Sequence, residues 1–162
     1  MVSIKPVLRH AAWADDLLFA RLAELPPAAL ACSYADPAWS VGHIATHIVG
    51  GGQWYRYVLG GPRWTDLDVP ASADDLRSLR SELASVYDDL LQQAELDDEQ
   101  VTYRDSDGPR TSLRSTVLAQ AAYHGTEHRT HIAVALELGG YESVRSDDFD
   151  VWAFADWSSQ QR

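Results

Sequence analysis

Apolar residues recur at three- and four-residue steps over four long stretches, and this spacing restricts the chain to a mainly helical fold. Leu8, Ala11, Ala12, Leu18, Phe19, Leu22 and Leu25 mark a first helix, which Pro26-Pro27 ends. Asp36-Pro37-Ala38-Trp39 reads as a turn, and Ser40 as the N-cap of a second helix running to about Leu59, where Gly60-Gly61-Pro62 stops it. Ser72 and Asp75 have the spacing of a capping box, and Asp74 and Asp75 suit a helix N-terminus. Behind them Leu76, Leu79, Leu83, Val86, Leu90 and Ala94 form the cleanest stripe in the chain. Residues 97–112 break the pattern. Val101-Thr102-Tyr103 and Arg110-Thr111-Ser112 flank Asp107-Gly108-Pro109, so this stretch is either a short hairpin or an irregular loop. A fourth helix follows from about Ser112 to Leu138, with Gly139-Gly140 as its stop. The tail carries Phe149, Val151, Trp152, Phe154 and Trp157 and reads as a packed segment, a short helix. The fold expected is all-α, an antiparallel four-helix bundle, and such bundles build their sites from side chains on facing helices.

The chain has 162 residues, the size of one domain, so 1–162 is read as a single unit. Thirteen basic against 24 acidic residues give a net charge of −11, which disfavours contact with nucleic acid or with an anionic membrane surface. The single cysteine, Cys32, excludes an internal disulfide and a cysteine-rich metal site. The start, Met1-Val2-Ser3-Ile4-Lys5-Pro6, lacks the basic flank and apolar core of a secretory leader. No apolar run approaches the roughly twenty residues of a spanning helix. A cytoplasmic location follows as the expectation.

Six histidines are the chemically informative residues: His10, His43, His47, His124, His128 and His131. Helical residues advance about 100° each, so their directions can be compared. On the second helix His47 lies inside the apolar arc with Ile44, Trp54 and Val58, and His43 lies beside its edge. On the fourth, His128 lies among Val117, Ala121, Ile132 and Ala135, with His124 one turn away and His131 further towards the rim. Three inward imidazoles are costly to bury unpaired, and one shared cation satisfies all three. His-x-x-x-His on a helix presents two nitrogens one turn apart, and His47 adds a third from another helix. Three neutral imidazoles suit zinc or nickel and leave a coordination position open. His131 is either a fourth ligand or a residue lining the site. His43 is read as a rim or capping residue, and His10 as a core or rim residue of the first helix.

With these residues laid out, the chain resembles the DinB/YfiT-like superfamily of metal-binding four-helix bundles. The resemblance rests on His10-Ala11-Ala12-Trp13-Ala14-Asp15 with Leu17-Leu18, on Trp39-Ser40-Val41-Gly42-His43-Ile44-Ala45-Thr46-His47 with Trp54, and on Tyr123-His124-Gly125-Thr126-Glu127-His128-Arg129. Asp148-Phe149-Asp150-Val151-Trp152 adds to it. It implies a metal triad at His47, His124 and His128, holding zinc or nickel. It also implies transferase or isomerase chemistry with a low-molecular-weight thiol, and dimers in many members. The wide apolar helix faces allow a homodimer without demanding one. Two departures stand out: His131 occupies a position where the family often has glutamine, and Gly50-Gly51-Gly52 interrupts the second helix just after His47. The glycines mean either close helix packing or room left for a ligand above a metal.

Two functions follow as expectations. One is a metal-dependent thiol transferase, with His131, His43, Trp54 and Tyr123 as residues of the second shell or pocket, a small electrophile as substrate, and metal-assisted hydrolysis as a variant. The other is a non-catalytic metal-binding bundle with a structural, stress-related or interaction role.

Overall fold

The structure, a computed structural model, describes residues 3–142 and 144–161, so Met1 and Val2 of the leader reading lie outside it. Four long helices carry the fold: α1 (Lys5–Glu24), α2 (Val41–Val58), α3 (Ala73–Gln93) and α4 (Arg114–Leu138). A fifth, α5 (Val151–Gln160), follows at the end, and two short 3-10 turns cover Pro27–Ala31 and Ser146–Phe149. The main contacts run in a cycle, α1 to α3, α3 to α2, α2 to α4 and α4 back to α1. The α1/α3 and α2/α4 seams therefore lie on opposite sides. Buried residues of all four, among them Leu18, Phe19, Ile44, Ile48, Leu90, Leu118 and Ile132, form one hydrophobic cluster. No helix among the described residues is long and apolar enough to cross a membrane.

The stretch left open between hairpin and loop is a hairpin, β1 (Gln100–Asp105) paired antiparallel with β2 (Gly108–Leu113). Its turn needs Gly108 at φ 125°, a region that favours glycine. The strand runs directly into α4, whose first turn has no cap from its own neighbours. Asp98 supplies one from a distance, its carboxylate accepting both the N–H and the hydroxyl of Ser115 at 2.8 Å. The expected caps hold elsewhere: Ser40 accepts from the His43 N–H at 3.4 Å, and Ser72 from the Asp75 N–H at 3.2 Å.

The packed tail is correct only in part. Phe149 is buried, and α5 is helical, but no residue of α5 is buried and Trp152 is 76% exposed. The helix attaches through one edge, where Phe154 and Trp157 meet Trp13 of α1. His10 holds the same junction, its Nε2 lying 2.7 Å from the Phe149 carbonyl oxygen. It is part of the core rim, as its place on the first helix suggests.

A candidate metal centre at the α2/α4 seam

His47 on α2 and His124 and His128 on α4 come together, each offering one ring nitrogen, with these atoms all within 4.8 Å of one another. The one-turn spacing on α4 stacks the latter two on one face, and α2 brings the third against them. His124 Nε2 lies 3.1 Å from His47 Nε2. His47 is exposed, His124 half-buried and His128 buried, so the cluster opens towards solvent along α2. Among the described residues no other histidine, cysteine, aspartate or glutamate joins the group.

Burial is the main cause that lowers the pKa of all three rings. His124 falls to about 4, with His47 adding to the effect, and His128 to about 4, with His124, His47 and His131 adding to it. His47 is also lowered by burial, against the opposing charge of Glu127. The rings are therefore neutral at pH 7, the state in which imidazole donates a lone pair to a metal. Three neutral nitrogens suit a borderline divalent ion, and the donor set fits one.

Gly51 explains how the rings come so close. A Cβ there would lie 2.4 Å from His124 Cε1, so the ring of His124 occupies the space an alanine would take. A Cβ at Gly52 would meet Val86 Cγ1 at 3.1 Å, whereas one at Gly50 would meet nothing within 4 Å. Of the two readings of the triplet, close packing accounts for Gly51 and Gly52, and α2 runs through all three without a break.

His131 stands outside the donor group and touches it: its Nδ1 lies 3.3 Å from the Nδ1 of His128, and Tyr34 stacks on its other side at 5.2 Å. His43 is exposed, with its Nδ1 2.9 Å from Ser40 Oγ at the helix cap. Trp54 packs on Tyr55 and on Tyr103 of β1, joining the hairpin to α2. Tyr123 is 63% exposed. Neither Trp54 nor Tyr123 makes a ring contact with the histidines among the described residues.

Other residues that sequence reasoning did not single out do touch the centre. Trp39, in the turn before α2, stacks on His128 at 5.9 Å and meets His47 edge-on at 5.1 Å. Tyr55 meets His124 edge-on at 5.7 Å, and burial raises its pKa, so its hydroxyl stays protonated. Glu127 is near enough for its charge to act on His47, His128 and Tyr55. Tyr55 had a usable signal, since it lies about 80° from His47 around α2, and Glu127 stands between His124 and His128 in the fourth-helix motif. Trp39 opens the motif that carries the family resemblance, but a loop aromatic has no helical direction, so its place against the rings could not be read.

Beside the centre lies a buried polar network that also escaped the helical reading. Asp15 on α1 accepts from the Tyr87 hydroxyl of α3 at 2.5 Å and from the Arg129 guanidinium of α4, which also donates to Thr126 Oγ1 at 2.8 Å. Asp15 and Arg129 are 0% and 3% exposed. Gly125 makes room for them: a Cβ there would lie 3.0 Å from both Asp15 Oδ2 and an Arg129 nitrogen.

No curated protein matches the chain. Three histidines gather at the α2/α4 seam, and the model of the DinB family matches residues 1–162, the full length: the chain belongs to the DinB family.

Proposed function

We propose that the chain is a metal-dependent S-transferase built on an antiparallel four-helix bundle, in which His47, His124 and His128 hold one zinc or nickel ion. It would join a low-molecular-weight thiol to a small electrophile. The observation that carries this reading is the incomplete donor set: three neutral imidazoles at a solvent-facing edge, with no fourth donor among the described residues. Structural zinc centres are closed by four protein ligands, whereas catalytic ones keep a position free. When bound there, the ion favours the thiolate, the nucleophilic form of a thiol, at neutral pH.

The protein's own groups have separate tasks in this reading. His131, through its contact with His128 Nδ1, fixes which nitrogen of that ring is free. Trp39 and Tyr34 wall a recess of about 150 Å³ that also touches His128 and His131, and they present ring faces to the thiol or its partner. Glu127 accepts the thiol proton. The sulfur then forms the new S–C bond, and the leaving group departs with the electron pair of the bond that breaks.

Metal content of untagged protein tests the first half. About one zinc or nickel per chain is expected, absent from the His47→Ala/His124→Ala double variant. Cobalt-substituted protein tests the second half: glutathione should change its visible spectrum. A wild type that takes up neither zinc nor nickel overturns the proposal. A cobalt spectrum indifferent to glutathione leaves a closed, non-catalytic metal site instead.

A further inference from the structure

A groove of about 610 Å³ lies along the α1/α3 seam, away from His47, His124 and His128, and α5 forms one of its walls. Its volume falls in the range of roughly 300–1,000 Å³ found for small-molecule sites. Trp13, Phe154 and Trp157 give it an aromatic side, with ring centroids 5.5 to 6.0 Å apart, and Leu83 and Leu91 line it from α3. Trp157 remains 43% exposed, so ring surface is left open at the groove.

The charges along this seam divide into paired and unpaired. Lys5 with Glu95 in the turn after α3, and Asp16 with Arg80 at 2.6 and 2.7 Å, tie α1 to α3 and its end in antiparallel order. Asp15 is held by Arg129. Between the two ties Arg9 and Asp88 line the groove from facing helices, and neither has an ion-pair partner among the described residues. One free guanidinium and one free carboxylate beside an aromatic wall complement a carboxylate, an ammonium and a ring in a single ligand.

We propose that this groove is a second binding site, independent of the histidine centre, for a small zwitterion bearing an aromatic ring, the chemistry of an aromatic α-amino acid. The ring lies against Trp13, Phe154 and Trp157, the carboxylate on Arg9 and the ammonium on Asp88.

Calorimetric titration of the intact protein with L-phenylalanine tests it, with 2-phenylethylamine and 3-phenylpropionate as single-charge controls. Saturable one-to-one binding is expected, with each control weaker by about threefold or more, the scale of an exposed ion contact. Trp157→Ala removes one ring from a helix with no buried residue, and Ala84→Trp fills the groove from an exposed position on α3. Each should weaken binding about tenfold or more, with melting curves confirming the fold. The His47→Ala/His124→Ala variant should bind as the wild type does, whatever becomes of the metal reading. The proposal falls if phenylalanine fails to saturate at about 1 mM and above, or if the single-charge controls bind as well. It also falls if Ala84→Trp leaves binding intact, if the histidine variant abolishes it, or if Ala84→Trp merely splits a dimer that covers the groove.

Discussion

Asp15 and His124 line the same small void in the interior, yet the two sides of that void treat polar groups in opposite ways. On the α1 side both carboxylate oxygens of Asp15 are used, one by the Tyr87 hydroxyl and one by Arg129, so three helices share a closed network. Burial and the carboxylate together hold the Tyr87 pKa well above its ordinary value, which keeps the proton on the phenol where the network needs it. On the α2 side each imidazole finds mainly other imidazoles: His124 meets His47, and His128 meets His131. A nitrogen-to-nitrogen contact needs one donor and one acceptor, and among the described residues no carboxylate joins the donor group. The first arrangement is complete within the chain. The second leaves a three-nitrogen donor set open to a cation.

The sharpest way to break this comparison is to remove one member from each side. Asp15→Ala leaves the Arg129 guanidinium buried without its carboxylate, and a broken buried pair costs about 3–5 kcal/mol. Urea unfolding should show a loss of that size. His124→Ala in chelator-treated protein should cost far less, because it removes a ring whose charged form is already disfavoured. Equal losses in the two variants would mean that the histidines are as much a part of the folded core as the ion pair is.

What could be read from the chain divides along the same line. The triad was legible because a histidine within an apolar arc is an anomaly that 100° steps expose. The network of Asp15, Tyr87 and Arg129 was not, because a charged residue on a helix reads by default as solvated surface and a tyrosine as plain core, and only the meeting of three helices shows otherwise. Local signals served well for α3, where Ser72 and Asp75 cap each other within four residues. They failed at the start of α4, where the capping carboxylate of Asp98 stands 17 residues before Ser115. The tail misled because its aromatic content suggested burial, while only the edge bearing Phe154 and Trp157 meets α1.

The glycines sharpen the comparison at the next scale. Gly51→Ala forces a Cβ against the His124 ring, and overpacking of this kind costs about 1–3 kcal/mol. Relief comes most easily by swinging His124 away, so metal stoichiometry should fall with stability. Gly50→Ala is the control on the same helix: its Cβ meets nothing within 4 Å, and helix propensity predicts a gain of about 0.8–1.0 kcal/mol with metal binding intact. Loss of metal in both variants would point to a general effect on α2 rather than to the His124 contact.

The smallest expected effect lies on the acid side of neutrality. With a folded-state pKa of about 4, His124 and His128 stay neutral in the native protein while their unfolded counterparts take up protons near the ordinary value of 6.5. Between those values the unfolded chain binds more protons, so stability of the metal-free protein is greatest above pH 6.5 and falls as the pH drops towards 4. Since His124 is only half-buried and the cluster opens to solvent, screening should keep the slope below about 1 kcal/mol per pH unit. The same low values protect a bound metal, because a proton must charge these rings to displace it. Metal retention measured after equilibration at each pH should therefore persist through pH 5.5 and fail below about pH 4.5, well under the midpoint of an ordinary histidine. The Tyr87 phenol on the other side of the void adds nothing in this window, since burial and the Asp15 carboxylate hold its pKa well above the ordinary value. A stability loss between pH 6.5 and 4 that survives in the His124→Ala variant at full size would place its origin outside the histidine seam.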